Sequence, residues 1–149
     1  MAEQHAVGFE QGLKLGGMKP ICAVYSTFMQ RSVDQIFQEL ALIKTPVLLA
    51  LDRAGLVGPD GATHNGVFDI AYISMLPNTI LMAPRDATEL KAMMDFGLTL
   101  DRPAAVRFPR TKAPATDKEL PEGPALELGK AGVLVEGPDG RVTAHRPLL

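Results

Sequence analysis

Short apolar runs alternate along the chain with longer stretches in which apolar residues recur every three or four positions. The runs cover residues 21–25, 47–52, 79–83 and 104–108, and none shows the apolar-polar alternation of a half-buried strand. Strands of that texture are buried on both faces, which predicts an α/β fold: a mostly parallel sheet with helices on both sides. Between the first two runs, Val33, Ile36, Phe37, Leu40 and Ile43 share one side of a helical wheel, opposite Asp34, Gln35, Gln38 and Glu39. That is an amphipathic helix. Thr27 and Gln30 have the spacing of a capping box for its start, and Pro46 closes it. Asp86 and Glu89 repeat the spacing ahead of a second apolar stripe, Leu90, Met93 and Met94. Residues 3–15 predict a helix before the first strand, with Phe9 and Leu13 facing inward. Gly8 and Gly12 would let another backbone approach it, each costing about 1 kcal/mol of helix propensity relative to alanine.

From Pro109 onward the texture changes. Pro109, Pro114, Pro121 and Pro124 punctuate a polar stretch with the charge run Asp117-Lys118-Glu119, the composition of an extended connector. The expected division is a compact α/β domain over residues 1–110, and over 111–149 a proline-rich linker leading into a further domain that is missing. The apolar segments around Gly137-Pro138-Asp139-Gly140 read either as a hairpin or as the opening strand of that domain.

Composition narrows the partners. The chain has 149 residues, 46% of them hydrophobic, a formal net charge of -2 and a pI near 5.9. With cations scattered among acids there is no footprint for a polyanion, so nucleic acid is not an expected partner. No apolar stretch approaches the roughly 20 residues of a membrane span, and Met1-Ala2-Glu3-Gln4-His5 lacks the basic and apolar segments of a secretory signal. The expectation is a cytoplasmic protein. The single Cys22 lies in an apolar run and is expected to be a buried, reduced packing residue. The histidines are isolated and no carboxylate cluster offers an oxygen cage, so no protein-only metal site is expected.

In an open parallel sheet ligands bind beyond the carboxyl ends of the strands, so the loops there carry the weight of a functional reading. After the first strand come Tyr25, Ser26, Thr27, Phe28 and Arg31; after the second comes a loop with Asp52, Arg53, Asp60, His64 and the glycines Gly55, Gly58, Gly61 and Gly66; the fourth ends in Arg107-Phe108-Pro109-Arg110. Arginines at three strand ends predict convergence on an anionic group such as a phosphate. The glycine-rich loop has neither the Walker nor the dinucleotide spacing, and on spacing alone it reads more readily as a solvated turn than as a site.

The strings Ala2-Glu3-Gln4-His5-Ala6-Val7, Tyr25-Ser26-Thr27-Phe28-Met29-Gln30-Arg31, Leu51-Asp52-Arg53-Ala54-Gly55-Leu56-Val57-Gly58 and Asp60-Gly61-Ala62-Thr63-His64 carry more than their chemistry. In order and interval they resemble the central, transketolase-like pyrimidine-binding domain of the 1-deoxy-D-xylulose-5-phosphate synthases. The resemblance runs to about Arg110 and, more weakly, through Leu126-Glu127-Leu128-Gly129-Lys130. It implies thiamine diphosphate as cofactor, with Mg²⁺ held by a diphosphate-binding domain absent from this chain. It further implies pyruvate and glyceraldehyde 3-phosphate as substrates, and a homodimer.

By residue, the resemblance makes Glu3 the catalytic acid that hydrogen-bonds the cofactor's N1′, with Phe28 stacked on the aminopyrimidine and Arg31 nearby. Tyr25, Arg53 and Arg110 match the sugar-phosphate site, while Asp60 and His64 match groups that address substrate hydroxyls and proton transfers. One position departs from many relatives, which carry a second histidine where Asn65 stands; an amide there cannot shuttle protons. Without the Gly-Asp-Gly segment that grips the diphosphate, the chain alone is expected to be inactive. Two other readings are a subunit of a split transketolase or 2-oxo-acid dehydrogenase-like enzyme completed in trans, and a non-catalytic assembly module.

Overall fold

The apolar run expected at residues 47–52 is the centre of the molecule. In a computed structural model, which describes residues 2–112, 125–130, 132–137 and 140–144, it forms β2 (Leu48–Asp52) with its first four residues buried. Successive side chains of a strand point to opposite faces. Leu49 and Leu51 therefore enter one core and Leu48 the other. Both faces of the sheet must be covered, and both are.

The element order is helix α1 (Glu3–Leu15), β1 (Ile21–Tyr25), an irregular helix α2, β2, a short helix α3 (Asp69–Ser74), β3 (Ile80–Met82), helix α4 (Ala87–Gly97) and β4 (Ala104–Arg107). Helix α2 is assembled from four pieces, Ser26–Met29, Gln30–Ser32, Val33–Gln35 and Ile36–Ala41. The strands pair in parallel in the order β1-β2-β4-β3. Val7 of α1, Met29, Ile36 and Leu40 of α2 and Tyr72 and Ile73 of α3 pack on one face with Cys22, Leu49 and Leu51. Met93 of α4 packs on the other with Leu48, Ile80, Met82 and Val106. Beyond the sheet, β5 (Gly132–Gly137) and β6 (Gly140–Ala144) form an antiparallel hairpin, one of the two expected readings of that segment. The proline-rich stretch from Pro114 to Pro124 lies outside the described residues.

Local expectations fared unevenly, for identifiable reasons. The cap at Asp86 forms: its Oδ1 accepts the Glu89 amide at 2.8 Å, and the Glu89 carboxylate accepts the Arg85 amide at 2.8 Å. The cap expected at Thr27 does not, because α2 begins directly at Ser26 and the Thr27 hydroxyl donates instead to the Thr63 carbonyl at 3.4 Å. Residues 36–41 are wound as a π-helix, with amide bonds from Leu42 to Phe37 and from Thr45 to Leu40. The wider turn slips the phase of the apolar stripe, so Ile36 and Leu40 are buried while Ile43 is 56% exposed. Helix α1 spans the expected residues but turns another side inward: Glu3 and Val7 are buried, Phe9 is 56% exposed and Leu13 only half-buried. Within 4 Å of where a Cβ would stand on Gly8 or Gly12 there is nothing among the described residues.

Cys22 is buried, as its apolar run implied. Desolvation, with the Glu10 charge secondary, pushes its thiol up to about 11. The thiolate is the reactive species, so at pH 8 a thiol reagent should label the native chain roughly a hundred-fold more slowly than the unfolded chain. Equal labelling rates would show that the β1 face opens to solvent.

Candidate active site

Parallel register places the carboxyl ends of the strands in one row. Tyr25 lies opposite Asp52, and Leu51 opposite Arg107, so the loops after β1, β2 and β4 emerge side by side. The row collects the residues singled out from sequence.

Arg53 stands directly after β2 with φ of +59°, the left-handed region that non-glycine residues seldom adopt. The Asp52 carboxylate holds that turn by accepting the Arg53 amide at 2.6 Å. The turn lays the guanidinium flat on the Tyr25 ring, 3.7 Å from its centroid. Tyr25 stacks on Phe28 at 5.4 Å, and Phe28 makes a T-shaped contact with His64 at 5.2 Å. The Arg31 guanidinium lies 5.0 Å from the Phe28 ring centroid and donates to Glu3 Oε1 at 3.3 Å. Glu3 opens α1, where the partial positive charge of the helix end favours a carboxylate. It is 7% exposed, and its Oε2 has no hydrogen-bond partner among the described residues. Glu3, Ala6, Ala23, Tyr25 and Phe28 line a mostly apolar cleft of about 440 Å³, so the residue that carries this buried acceptor is one of the cleft's walls.

The cationic end of the site is narrower than three converging arginines would make it. Asp60 accepts from Arg53 Nε at 2.8 Å and pairs with Arg110 Nη1 at 3.1 Å. Arg53 and Arg110 thus meet, whereas Arg31 is drawn to Glu3 and Arg107 turns to Asp69. The hydrogen bond from Arg53, then the Arg110 charge, hold the Asp60 carboxyl below the usual range, although partial desolvation opposes them. The same bond raises Arg53. A larger cleft of about 700 Å³ runs along the ends of β2, β4 and β3, with Asp52, Arg85, Phe108 and Arg110 among its walls. It shares Arg110 with the cluster but does not reach Glu3.

The residues that hold this arrangement were not foreseen as functional. Asp69 is fully buried and accepts from Arg107 Nε at 2.9 Å, locking α3 to β4. Tyr72, one turn on, donates its hydroxyl to the Ser26 carbonyl at 3.1 Å, and burial beside Asp69 holds that phenol well above its ordinary range. Gly66 exchanges both amide bonds with Gly55, at 2.7 and 2.9 Å, and passes directly against Ser26 and Arg53. Asn65 caps the loop from inside, its Oδ1 accepting the Val57 amide at 3.0 Å. The spacing of Asp69, Tyr72, Ile73 and Leu76 is a helical signal, but α3 is too short for periodicity alone to reveal it.

An open parallel sheet with helices on both faces, and a buried carboxylate, an aromatic stack and a cation pair along its carboxyl edge, defines an α/β ligand-binding domain of the doubly wound class. The chain belongs to the family of the transketolase pyrimidine binding domain, whose model it matches over residues 1–116. It is 49% identical over 150 residues to a 1-deoxy-D-xylulose-5-phosphate synthase of Rhodopirellula baltica, covering 100% of this chain and 23% of the relative. A 1-deoxy-D-xylulose-5-phosphate synthase of Thermomicrobium roseum is 48% identical over 145 residues, 97% of this chain and 23% of that protein. The chain thus spans about a quarter of the length of these relatives. Among solved structures, a split-gene transketolase described as an inactive β4 tetramer superposes with a TM-score of 0.78 at 28% identity, over 92% of this chain and 43% of that one.

Proposed function

We propose that this chain forms the pyrimidine-binding half of a thiamine-diphosphate site, in a transferase that condenses pyruvate with glyceraldehyde 3-phosphate to 1-deoxy-D-xylulose 5-phosphate. The observation that carries the reading is the orphaned Glu3 Oε2, a buried acceptor on a residue that lines a pocket whose other walls are aliphatic or aromatic. A buried polar atom is normally satisfied, and an aminopyrimidine ring brings the complementary nitrogen and a flat face for Phe28. The residues fit the group.

In this reading Glu3 holds a proton between its Oε2 and the ring nitrogen, and Arg31 fixes the carboxylate through Oε1. Phe28, backed by Tyr25, sets the plane of the ring. When bound, thiamine diphosphate supplies a carbon nucleophile that no side chain of this site offers. Tyr25, Arg53 and Arg110 take the phosphate of the acceptor substrate. Asp60 addresses a substrate hydroxyl, and His64, in a T-shaped contact with Phe28, moves protons at the reacting oxygen.

Mg²⁺ and the cofactor's diphosphate belong in this reading to a partner domain, and the complete enzyme is a cytoplasmic homodimer. The charge-assisted grip on the diphosphate lies outside this chain, so the chain alone should bind the cofactor weakly or not at all. Isothermal titration with thiamine diphosphate and Mg²⁺ tests this, and submicromolar binding would overturn the division of labour. The likeness to a split-gene transketolase favours a second arrangement, in which a diphosphate-binding chain completes the site in trans. Under that arrangement the two chains regain activity on mixing, and neither has it alone.

A further inference from the structure

We propose that Asp60 is an internal occupant of the anion site, and that a phosphate bridging Arg53 and Arg110 must displace it. This rests on reading Arg53 and Arg110 as the phosphate-binding pair, and it concerns what fills that pair beforehand. Asp60 Oδ2 accepts from Arg53 Nε at 2.8 Å while Oδ1 faces Arg110 Nη1 at 3.1 Å. One carboxylate therefore bridges two guanidinium groups, an oxygen on each, which is how a phosphate would span them. On Arg53 the Nε–H is taken by Asp60, an Nη1 donor by Asp52 and one face by the Tyr25 ring, so an anion that spans Arg53 and Arg110 meets the carboxylate already between them.

The contact is built to open. Arg53, Asp60 and Arg110 all reach solvent, at 17%, 19% and 44% exposure, and ion pairs that reach solvent hold weakly. Asp60 ends a short turn, next to Gly61 at φ of +82°, a backbone conformation that glycine alone adopts freely. A phosphate dianion brings more charge to the two cations than the carboxylate it replaces. Once released, Asp60 stands beside the bound phosphate as a free acceptor. Its contact with a substrate hydroxyl is thereby made conditional on the phosphate being seated.

The experiment titrates sodium sulfate, a dianion at neutral pH, into this chain at low ionic strength, following the Arg53 Nε–Hε resonance by NMR. A site that is open one time in ten binds tenfold more weakly than an open one. Asp60→Asn should accordingly bind sulfate about tenfold more tightly than the wild type, a factor set by how often the bridge is closed. Asp52→Asn removes an equal charge beside Arg53 and releases its Nη1, but leaves the Asp60 carboxylate between the two arginines, and should gain about threefold at most from the lost repulsion. In the wild type, sulfate should move the Arg53 Nε–Hε resonance as its hydrogen bond leaves Asp60, a readout that needs no variant to fold. Equal gains in the two variants, or an unmoved resonance with sulfate bound, would overturn the displacement while leaving the anion site intact. If neither the wild type nor Asp60→Asn binds sulfate, or if Asp60→Asn keeps its affinity when Arg53→Ala is added, the phosphate reading fails and the displacement with it.

Discussion

Glu3→Gln, placed in the complete enzyme, should lower kcat by about 10²–10⁴-fold, the range that a positioned proton-transfer group contributes. Glutamine keeps the length and shape of the side chain, and its carbonyl oxygen can still accept from Arg31. What it loses is the second carboxylate oxygen, the one that has no partner among the described residues, on a side chain that lines the Phe28 pocket. An amide cannot hold a proton there for a ring nitrogen. Because Oε2 satisfies no described donor, the isolated Glu3→Gln chain should unfold at the same urea concentration as the wild type or slightly above it, since a buried charge is removed. The informative result is the split: a large fall in turnover without a fall in stability. A kcat within threefold of the wild type would remove Glu3 from the chemistry.

The second large effect is expected at a residue with no side chain. A Cβ on Gly66 would lie 2.5 Å from the Arg53 carbonyl oxygen and 2.4 Å from Ser26 Oγ, closer than such atoms approach. The serine is fully buried and the carbonyl is backbone, so neither can swing aside cheaply. Gly66→Ala must push the Gly55–Gly66 bridge away from the start of α2, and overpacking of this kind costs about 3 kcal/mol, the upper end of its ordinary range. Urea denaturation of the isolated chain measures it. The site should suffer too, since Ser26 and Arg53 border the residues that set Tyr25 and Phe28. A loss under about 0.5 kcal/mol, typical of unconstrained surface positions, would mean that the loop relaxes freely.

Much of this architecture was legible before any coordinate. Strands buried on both faces must be apolar throughout, and the four runs stand out for that reason alone. The cap at Asp86 and the span of α1 follow from chemistry within a few residues. The strings around Glu3, Tyr25, Arg53 and His64 marked the family, and the residues they named lie in one contact chain from Glu3 to Arg110.

What local sequence could not carry was any choice between competing partners. Thr27 has the spacing of a cap but finds the Thr63 carbonyl across a loop. Arg107 and Arg110 stand three positions apart at the end of one strand, yet the first is spent on the buried Asp69 and only the second reaches Asp60. Phe9 fits an inward position on α1, but the sheet meets the side that carries Glu3 and Val7.

By itself, then, the sequence determined the parallel class and the covered faces, because both depend on polarity and spacing over short distances, and its strings marked the side chains that meet at the carboxyl edge. The strand order β1-β2-β4-β3, the support from Asp69, Tyr72 and Gly66, and the bridge that Asp60 makes between two arginines were decided only by tertiary structure. Each joins groups far apart along the chain. Which donor meets which acceptor is settled when the sheet closes and burial excludes the alternatives.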